Sequence, residues 1–375
     1  MLAPEPNVSD FTLPAIDVRS VLRRVALPAI AAAFAVAAVF VLGGHIHTIA
    51  DALRRIVGLS AGWAAAGIAF ECISLAGYVL LLSLVAGQAT PRVTARVSAQ
   101  ITFAGAAATR LLPTAGAGGA ALALWTFRRA GLKSPAAART LLSFLVLLYS
   151  VFLAAIVLSG AALTLGLVSE HGPAALAAVP AALAIVAIGL ALALAFIHPG
   201  ARVTNSRVGA RLATAAQTVG AGVRDACSLV RSADLRLVGA LAYWAFDAAV
   251  LWAMLHAFGG APLLPVVAIA YFVGQAANTI PIPGAVSGGI AGVLIAFGIP
   301  APIALPAVLA YRTVSVWLPT PIAVAALPGL RSTIARWGRE DSAREAGLGT
   351  HCTHNVHSVP SATADAYPAT ASQRS

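Results

Sequence analysis

Apolar and polar positions follow one another along the chain as long blocks, a pattern typical of helical proteins that cross a membrane several times. A helix needs roughly 20 mainly apolar residues to span the hydrocarbon core of a bilayer. Six apolar blocks approach that length, at about 25–44, 62–86, 138–164, 174–197, 237–258 and 303–328. The sequence therefore predicts an all-α, polytopic helical membrane protein with about six full spans.

Two further apolar segments, 98–127 and 263–298, are interrupted by proline and glycine, which break helices. The interruptions cover 109–119 and 279–289, and without gaps they match at threonine, proline, alanine and two glycine positions. Broken backbone at membrane depth is tolerated against protein or a water-filled cavity, and matching breaks in two halves point to a transporter's binding site. We therefore predict two re-entrant broken helical hairpins.

Arginine and lysine positions set the expected orientation, because basic residues are enriched in cytoplasmic loops. Basic residues flank both ends of the first interrupted segment, whereas the loops 259–262 and 299–302 around the second carry no charge. The two hairpins should therefore enter from opposite faces. This arrangement makes about 25–165 and about 174–330 an inverted-topology repeat, with both chain termini cytoplasmic and the protein in the cell membrane. The arginines at 54–55, in a predicted outer loop, argue against the scheme.

The two ends of the chain differ from its apolar middle. Residues 1–24 are predicted to be a cytoplasmic N-terminal segment, and 25–335 the transmembrane domain. Residues 336–375 are polar, with too few large apolar side chains to pack, so a disordered cytoplasmic tail is predicted. The histidines and the cysteine between 351 and 357 match no established zinc spacing, and no metal site is predicted.

Composition narrows the possible functions. Of the 375 residues, 59% are hydrophobic and 10% charged, whereas a soluble domain carries about 25% charged residues. The net charge of +11 lies in short loops between apolar blocks, which favours lipid headgroups over nucleic acid as partners. The sequence contains no P-loop, no HExxH pair and no G-x-S-x-G elbow. We therefore predict no catalytic residue and no cofactor.

The interruptions supply most of the candidate substrate-binding residues. Backbone amides at the start of each second half-helix, near Gly119 and Gly289, are expected to be unpaired and to attract an anion such as phosphate. The alternative is that these glycines only allow close helix packing, which is the role expected for Gly292. The predicted substrate-binding set is Arg110, Pro113, Gly116, Gly118, Gly119, Asn278, Pro281, Pro283, Gly284, Gly288, Gly289, Tyr311 and Arg312.

Two arginines, Arg110 and Arg312, lie well inside apolar segments. An arginine near the bilayer centre costs about 2.5–3.5 kcal/mol on insertion scales, so each needs a partner or an aqueous cavity. A planar guanidinium suits phosphate better than an ammonium group does. An internal ion pair with Glu71 or Asp247, the only acids deep in predicted spans, is an equal alternative.

Other polar and aromatic side chains are weaker candidates. Gln275 and Asn278 flank the second interruption, and their amides can serve either a headgroup or, more simply, the unwound backbone. Aromatic residues in spans usually pack or anchor at the interface, but some can line a cavity. The tyrosines considered for that role are Tyr78, Tyr149, Tyr271 and Tyr311.

Short stretches in and after both interruptions resemble one known family. They are Asn278-Thr279-Ile280-Pro281-Ile282-Pro283-Gly284, Gly288-Gly289, Ala310-Tyr311-Arg312 and Trp317-Leu318-Pro319, with Ala108-Thr109-Arg110, Gly116 to Gly119 and Leu145 to Tyr149. Over roughly 20–335, the chain resembles the flippase-like membrane family that is named for the membrane region of lysylphosphatidylglycerol synthase.

The resemblance implies a protein that moves anionic or aminoacylated phospholipids, or polyprenyl-linked lipids, between leaflets. Its expected partners are membrane lipids with anionic headgroups, with a homo-oligomer or a lipid-modifying enzyme as further possibilities. Many relatives carry a carboxylate shortly after the proline–glycine turn, whereas 285–294 contains none. An amine in the headgroup would need Glu71 or Asp247 instead. The tail has no room for an aminoacyl-transfer domain, so synthase activity is not expected.

Three functions are therefore compared. The leading hypothesis is a lipid translocator that carries out no chemical reaction. The first alternative is a membrane enzyme, or its accessory subunit, acting on polyprenyl-phosphate lipids, which would need a metal or paired carboxylates at its reaction site. The second alternative is an ion or small-solute transporter.

Overall fold

A computed structural model describes residues 61–111, 117–167, 172–196, 217–225, 227–228, 234–279 and 284–356, and the regular structure in these ranges is helical. The chain divides into two compact units, Met1–Leu330 and Arg331–Ser375. The first five labelled helices are α1 (Ala61–Ala89), α2 (Ala95–Leu111), α3 (Ala117–Arg129), α4 (Ser134–Thr164) and α5 (Ala174–Phe196). They are followed by α6 (Leu235–Ala257), α7 (Leu264–Ala276), α8 (Ala285–Ala296), α9 (Ala301–Arg312) and α10 (Thr320–Val356).

Five helical stretches in the described part of the chain are long and apolar enough to cross a membrane. They are α1, α4, α5, nearly all of α6 and the stretch Ala301–Arg344. The predicted class, an all-α polytopic membrane protein, is therefore confirmed. The predicted first span, at 25–44, lies outside the described residues.

Helix α5 shows most plainly what surrounds the protein. Leu183, Val186 and Leu190 are each more than half exposed on its surface. A row of large exposed apolar side chains is unfavourable in water and is the expected surface of a helix that faces lipid tails.

Helices α1 and α6 cross where their backbones touch. A Cβ added to Gly77 would lie 2.8 Å from the Gly239 carbonyl oxygen, and a Cβ on Gly239 would lie 2.8 Å from that of Gly77. Glycine is needed here because any side chain would force the helices apart. The Ser74 hydroxyl donates to the Tyr243 carbonyl oxygen at 2.8 Å and adds a hydrogen bond across the same crossing.

Each predicted interrupted segment forms two half-helices that pack against each other. In the first hairpin, α2 and α3, a Cβ on Gly105 would lie 3.3 Å from the Gly119 Cα. In the second, α7 continues as a 3-10 turn over Ala277–Thr279 before α8 begins. A Cβ on Gly289 would lie 3.1 Å from the Gly274 Cα. Both hairpins therefore close through a glycine-to-glycine approach.

The two hairpins also end alike. Gly131 follows α3 with φ of 94°, and Gly298 follows α8 with φ of 87°. The residue after each glycine donates its backbone N–H to a carbonyl five residues back, from Leu132 to Phe127 and from Ile299 to Leu294. This is the glycine-ended helix cap in which only glycine tolerates the left-handed backbone without strain.

Two parts of the C-terminal half differ from the prediction. The span predicted at 303–328 is divided by a π-helical segment, Thr313–Trp317, because Pro319 has no N–H to continue the regular helix. The tail predicted to be disordered from 336 is helical as far as Val356. Helix-favouring Arg, Glu and Ala residues there, an Arg336–Glu340 ion pair at 3.7 Å and the buried ring of Trp337 support this helix.

Candidate functional site

A cavity of about 390 Å³ in the first unit is lined by both hairpins. The first hairpin contributes Thr109 and Gly119, and the second contributes Gln275, Asn278 and Val286. The remaining walls come from α1, α4, α6 and α9 and from the stretch that follows α9, which contributes Ser315, Val316 and Pro319. The two interrupted segments, which lie far apart in the sequence, thus meet around one space.

A hydrogen-bonded carboxylate on α6 forms the most buried polar part of this cavity. Asp247 is 7% exposed, and its Oδ2 accepts a hydrogen bond from the Tyr271 hydroxyl at 2.5 Å and a longer one from the Tyr311 hydroxyl at 3.4 Å. The Gln275 amide in turn donates to the Tyr311 hydroxyl oxygen at 2.9 Å. The network joins α6, α7 and α9 through side chains that no local sequence pattern connects.

Arg312 lines the same cavity at the end of α9, next to the π-helical segment. Among the described residues, its guanidinium forms no ion pair with a carboxylate. Its positive charge nevertheless acts on Asp247 and on Tyr311. The sequence left two alternatives for Arg312, a place at a cavity or an internal ion pair with Glu71 or Asp247. The structure has its guanidinium at the cavity and, within the described residues, shows no direct ion pair with either acid.

The second deep acid, Glu71, also reaches the cavity. It is 4% exposed on α1 and lines the space together with Asp247 of the crossing helix α6. The glycine crossing of these two helices brings both acids to one site. Among the described residues, the lining of the cavity therefore contains two carboxyl groups and one guanidinium.

One wall of the cavity is aromatic. The Tyr78 ring packs edge-on against Phe144 and Tyr243, with ring centroids 5.1 Å apart in each pair. Tyr243 in turn contacts Trp244, whose indole N–H donates to the Leu148 carbonyl oxygen at 2.8 Å. These contacts fix large rings in place, so the wall is rigid and mostly apolar.

Three of the four tyrosines considered from the sequence line the cavity. Tyr78, Tyr149 and Tyr311 do so, whereas Tyr271 is fully buried and supports Asp247. The Gln275 amide donates to the Tyr311 hydroxyl oxygen, a partner that the sequence did not indicate. Sequence reasoning missed this network because its members are 24 to 64 positions apart.

The glycines at the hairpin tips have separate roles. Gly119 lines the cavity. Its N–H was predicted to be unpaired, but it donates to the Thr109 Oγ1 at 2.9 Å. Gly289 packs against Gly274, which is the packing alternative. Gly284 precedes α8 with φ of 84°, so the helix starts four residues earlier than the sequence indicated.

Two more glycines lie in open surroundings. Within the described part of the chain, a Cβ on Gly288 or on Gly292 would meet nothing within 4 Å, and the packing role predicted for Gly292 is wrong there. Gly118 is buried. Several predicted site residues lie outside the described residues, or have side chains that do: Arg110, Pro113, Gly116, Pro281 and Pro283.

The lining of the cavity contains groups that can bind a polar molecule. A partly buried guanidinium, amide groups of Gln275 and Asn278, and an aromatic wall surround the space. The described residues contain no group of three or more metal-ligating side chains. Such a cavity can hold an anionic or zwitterionic headgroup while apolar parts of the same molecule remain outside it.

Together, the apolar helices and the cavity between two broken hairpins define a polytopic membrane protein with an internal binding cavity. Residues 16–323 match the model of the family described as the lysylphosphatidylglycerol synthase TM region. The chain belongs to this family, and the resemblance stated from its motifs is confirmed. Comparison with curated proteins finds no match.

Proposed function

We propose that the protein is a lipid translocator that moves an anionic phospholipid, or a polyprenyl-linked lipid, between the leaflets of the cell membrane. The observation that carries the proposal is the cavity that both interrupted hairpins line and that Arg312 faces. Broken helices and a charged side chain at membrane depth are costly, and a transported polar guest accounts for both.

The size of the cavity supports a headgroup as the guest. Small-molecule sites occupy roughly 300–1,000 Å³, and this cavity of about 390 Å³ lies near the lower end. It has room for a phosphate with a small polar substituent but not for a whole phospholipid. The acyl or prenyl chains would therefore stay in the bilayer while the headgroup passes through the protein.

The charge in the cavity favours an anion. Arg312 has no carboxylate in ion-pair contact within the described part of the chain, so a phosphate is a good ligand for its planar fork of donors. Tyr311, Asn278 and Gly119 line the same space and would meet the headgroup. The remaining predicted contacts, such as Arg110, belong to this proposal on sequence grounds alone.

An inverted-topology repeat would give the cavity alternating access from the two sides. Its support is the likeness of the hairpins, which close through paired glycines and end in the same glycine cap at Gly131 and Gly298. The proposal places both chain termini in the cytoplasm. Single cysteines at the exposed positions 133 and 300, probed in intact cells with an impermeant reagent, should react on opposite sides of the membrane.

Reconstitution tests translocation directly. In vesicles that contain the protein and a fluorescent phosphatidylglycerol, a quencher that reaches only the outer leaflet should also remove the label that starts in the inner leaflet, because the protein exchanges lipid between the leaflets. Arg312→Gln should slow this exchange at least about tenfold, the effect of losing one charged hydrogen bond of about 1.5–3 kcal/mol. Arg128→Gln removes the same charge from an exposed position at the end of α3 and is the matched control.

The outcomes separate the hypotheses. Unchanged leaflet distribution for several anionic lipids, with wild-type protein that is folded, would contradict the proposal. Equal rates of lipid exchange for Arg312→Gln and Arg128→Gln would contradict the proposal that the headgroup binds at Arg312 in the cavity. Uptake of a water-soluble anion without lipid exchange would favour a small-solute transporter.

A second candidate function is a membrane enzyme, or its accessory subunit, acting on polyprenyl-phosphate lipids. The observation that favours it is that Glu71 and Asp247 line one cavity, since paired carboxyl groups can act as general acid and base. Glu71→Gln and Asp247→Asn, each assayed for lipid products, test it. Altered products with unchanged leaflet exchange would favour the enzyme.

A further inference from the structure

We infer that Asp247 is a proton-binding site coupled to the anionic guest: it takes up a proton when an anionic group engages Arg312 and releases it when that group leaves. The inference rests on the proposed function for the identity of the guest. It adds a coupled proton to that function. Each transported anion would carry a proton with it, so the proton gradient could drive transport and the pH could regulate it.

The two oxygens of the Asp247 carboxyl group have different surroundings. Oδ2 accepts hydrogen bonds from Tyr271 at 2.5 Å and Tyr311 at 3.4 Å. Oδ1 is buried and has no hydrogen-bond partner among the described residues. A buried charged oxygen without a partner is costly, and a proton on Oδ1 removes that charge while both bonds to Oδ2 remain.

The burial of Oδ1 selects a proton over larger cations. The atom exposes less than 1 Å² of surface, although Asp247 as a residue lines the cavity. An alkali ion or an ammonium group needs several oxygens in direct contact and could not reach Oδ1 unless the walls moved apart. A proton needs no such space, so it is the cation that this carboxyl group can accept without movement of the walls.

Arg312 provides the coupling. Its guanidinium lines the same cavity as Asp247, and a positive charge beside a carboxyl group favours the ionised carboxylate while the cavity holds no anion. A phosphate bound to the guanidinium would cancel this effect and place a second negative charge near the carboxylate. Two close negative charges in a poorly solvated site are unfavourable, so the carboxylate would take up a proton.

Linkage fixes the sign of the expected pH dependence. If anion binding promotes proton uptake, then proton binding must strengthen anion binding by the same factor. The affinity for the anion should therefore rise as the pH falls. The wild-type slope cannot exceed about tenfold per pH unit for a single coupled proton.

Other ionisable groups face the same region and must be distinguished from Asp247. They come from α1, α4, α6, α7 and α9. They are Glu71, Tyr78, Tyr149, Tyr243, Tyr271, Tyr311 and Arg312. Glu71 is the second carboxyl group among them and is therefore the competing acid.

Calorimetry on the full chain in lipid nanodiscs tests the inference. Short-chain phosphatidylglycerol is the probe, because its phosphodiester stays ionised and cannot itself take up the proton. Titrations in buffers of different ionisation enthalpy give the number of protons bound per lipid. Across a series of pH values, wild-type protein should take up as much as about one proton per lipid at an intermediate pH, and the uptake should fall toward zero at lower and at higher pH.

Variants assign the proton to one residue. Whatever the affinity of Asp247→Asn for the probe, its binding should proceed without proton uptake and should not depend on pH. Glu71→Gln should keep the uptake, and Asp225→Asn, an exposed acid that pairs with Arg139, is the control for loss of a carboxylate elsewhere. If Asp247→Asn does not fold, proton uptake by wild type and by Glu71→Gln still decides the matter.

The possible outcomes each support or overturn the assignment. Binding by wild type without proton exchange would overturn it, as would loss of uptake in Glu71→Gln. Lipid exchange in vesicles without any proton uptake would reject this inference and leave the proposed function intact. Proton-linked binding without lipid exchange would reject the translocator and leave Asp247 as a proton-coupled anion site.

Discussion

The glycine crossing between α1 and α6 leads to a quantitative prediction about stability. In Gly77→Ala, the new Cβ would lie 2.8 Å from two backbone atoms, the Gly239 carbonyl oxygen and the Tyr243 nitrogen. Backbone cannot rotate away as a side chain can, so the helices must separate. Overpacking of this kind costs about 1–3 kcal/mol. Because α6 carries Asp247, the same shift should also lower lipid exchange.

Gly189→Ala in α5 is the matched control, because a Cβ there meets nothing within 4 Å. Alanine is favoured over glycine in a helix by about 1 kcal/mol, and this gain applies to both variants. The difference in thermal stability of the two purified proteins, followed by tryptophan fluorescence, therefore isolates the crossing. Equal melting temperatures for the two variants would refute a backbone contact between α1 and α6.

Three other substitutions test single contacts. Thr109→Val should lower stability by about 1–3 kcal/mol in denaturant unfolding, because it leaves the Gly119 N–H without an acceptor, whereas Thr109→Ser should behave as wild type. Gly284→Ala should cost about 1–2 kcal/mol because of its left-handed backbone, and Gly288→Ala should cost less; equal losses would contradict the helix start at 285. Tyr271→Phe removes a hydrogen bond to a buried carboxylate and should lower the melting temperature, measured by calorimetry, by the equivalent of about 1.5–3 kcal/mol. An unchanged melting temperature would show that the 2.5 Å contact does not exist.

Apolar block length and glycine–proline breaks predicted most of the fold. The predicted span at 62–86 became Ala61–Ala89, and the predicted hairpin at 263–298 became α7 and α8. Such features can be read from a short stretch of sequence. A helix in lipid must form its backbone hydrogen bonds within itself and must be long enough to cross the bilayer. The π-helical segment Thr313–Trp317 was missed, although Pro319 was a visible signal for it.

The site was predictable in its charges but not in its hydrogen bonds. Acids and arginines in apolar blocks are rare, so Glu71, Asp247 and Arg312 were identifiable from the sequence. The role of Tyr271 was not, because it depends on how α7 packs against α6. Thr109 lies just before the first interruption and Gly119 just after it. The sequence could therefore have indicated that the Thr109 hydroxyl accepts a hydrogen bond from the Gly119 N–H.

The most direct measurement of the central claim is photo-crosslinking of a phosphatidylglycerol that carries a photoreactive group on its headgroup. If the headgroup occupies the cavity between the hairpins, peptides from both α2–α3 and α7–α8 should carry the label, and excess unlabelled phosphatidylglycerol should prevent labelling. Arg312→Gln should lower the yield on both hairpins together. Labelling confined to lipid-facing positions of α5, such as Leu183 and Val186, with neither hairpin modified, would contradict the account.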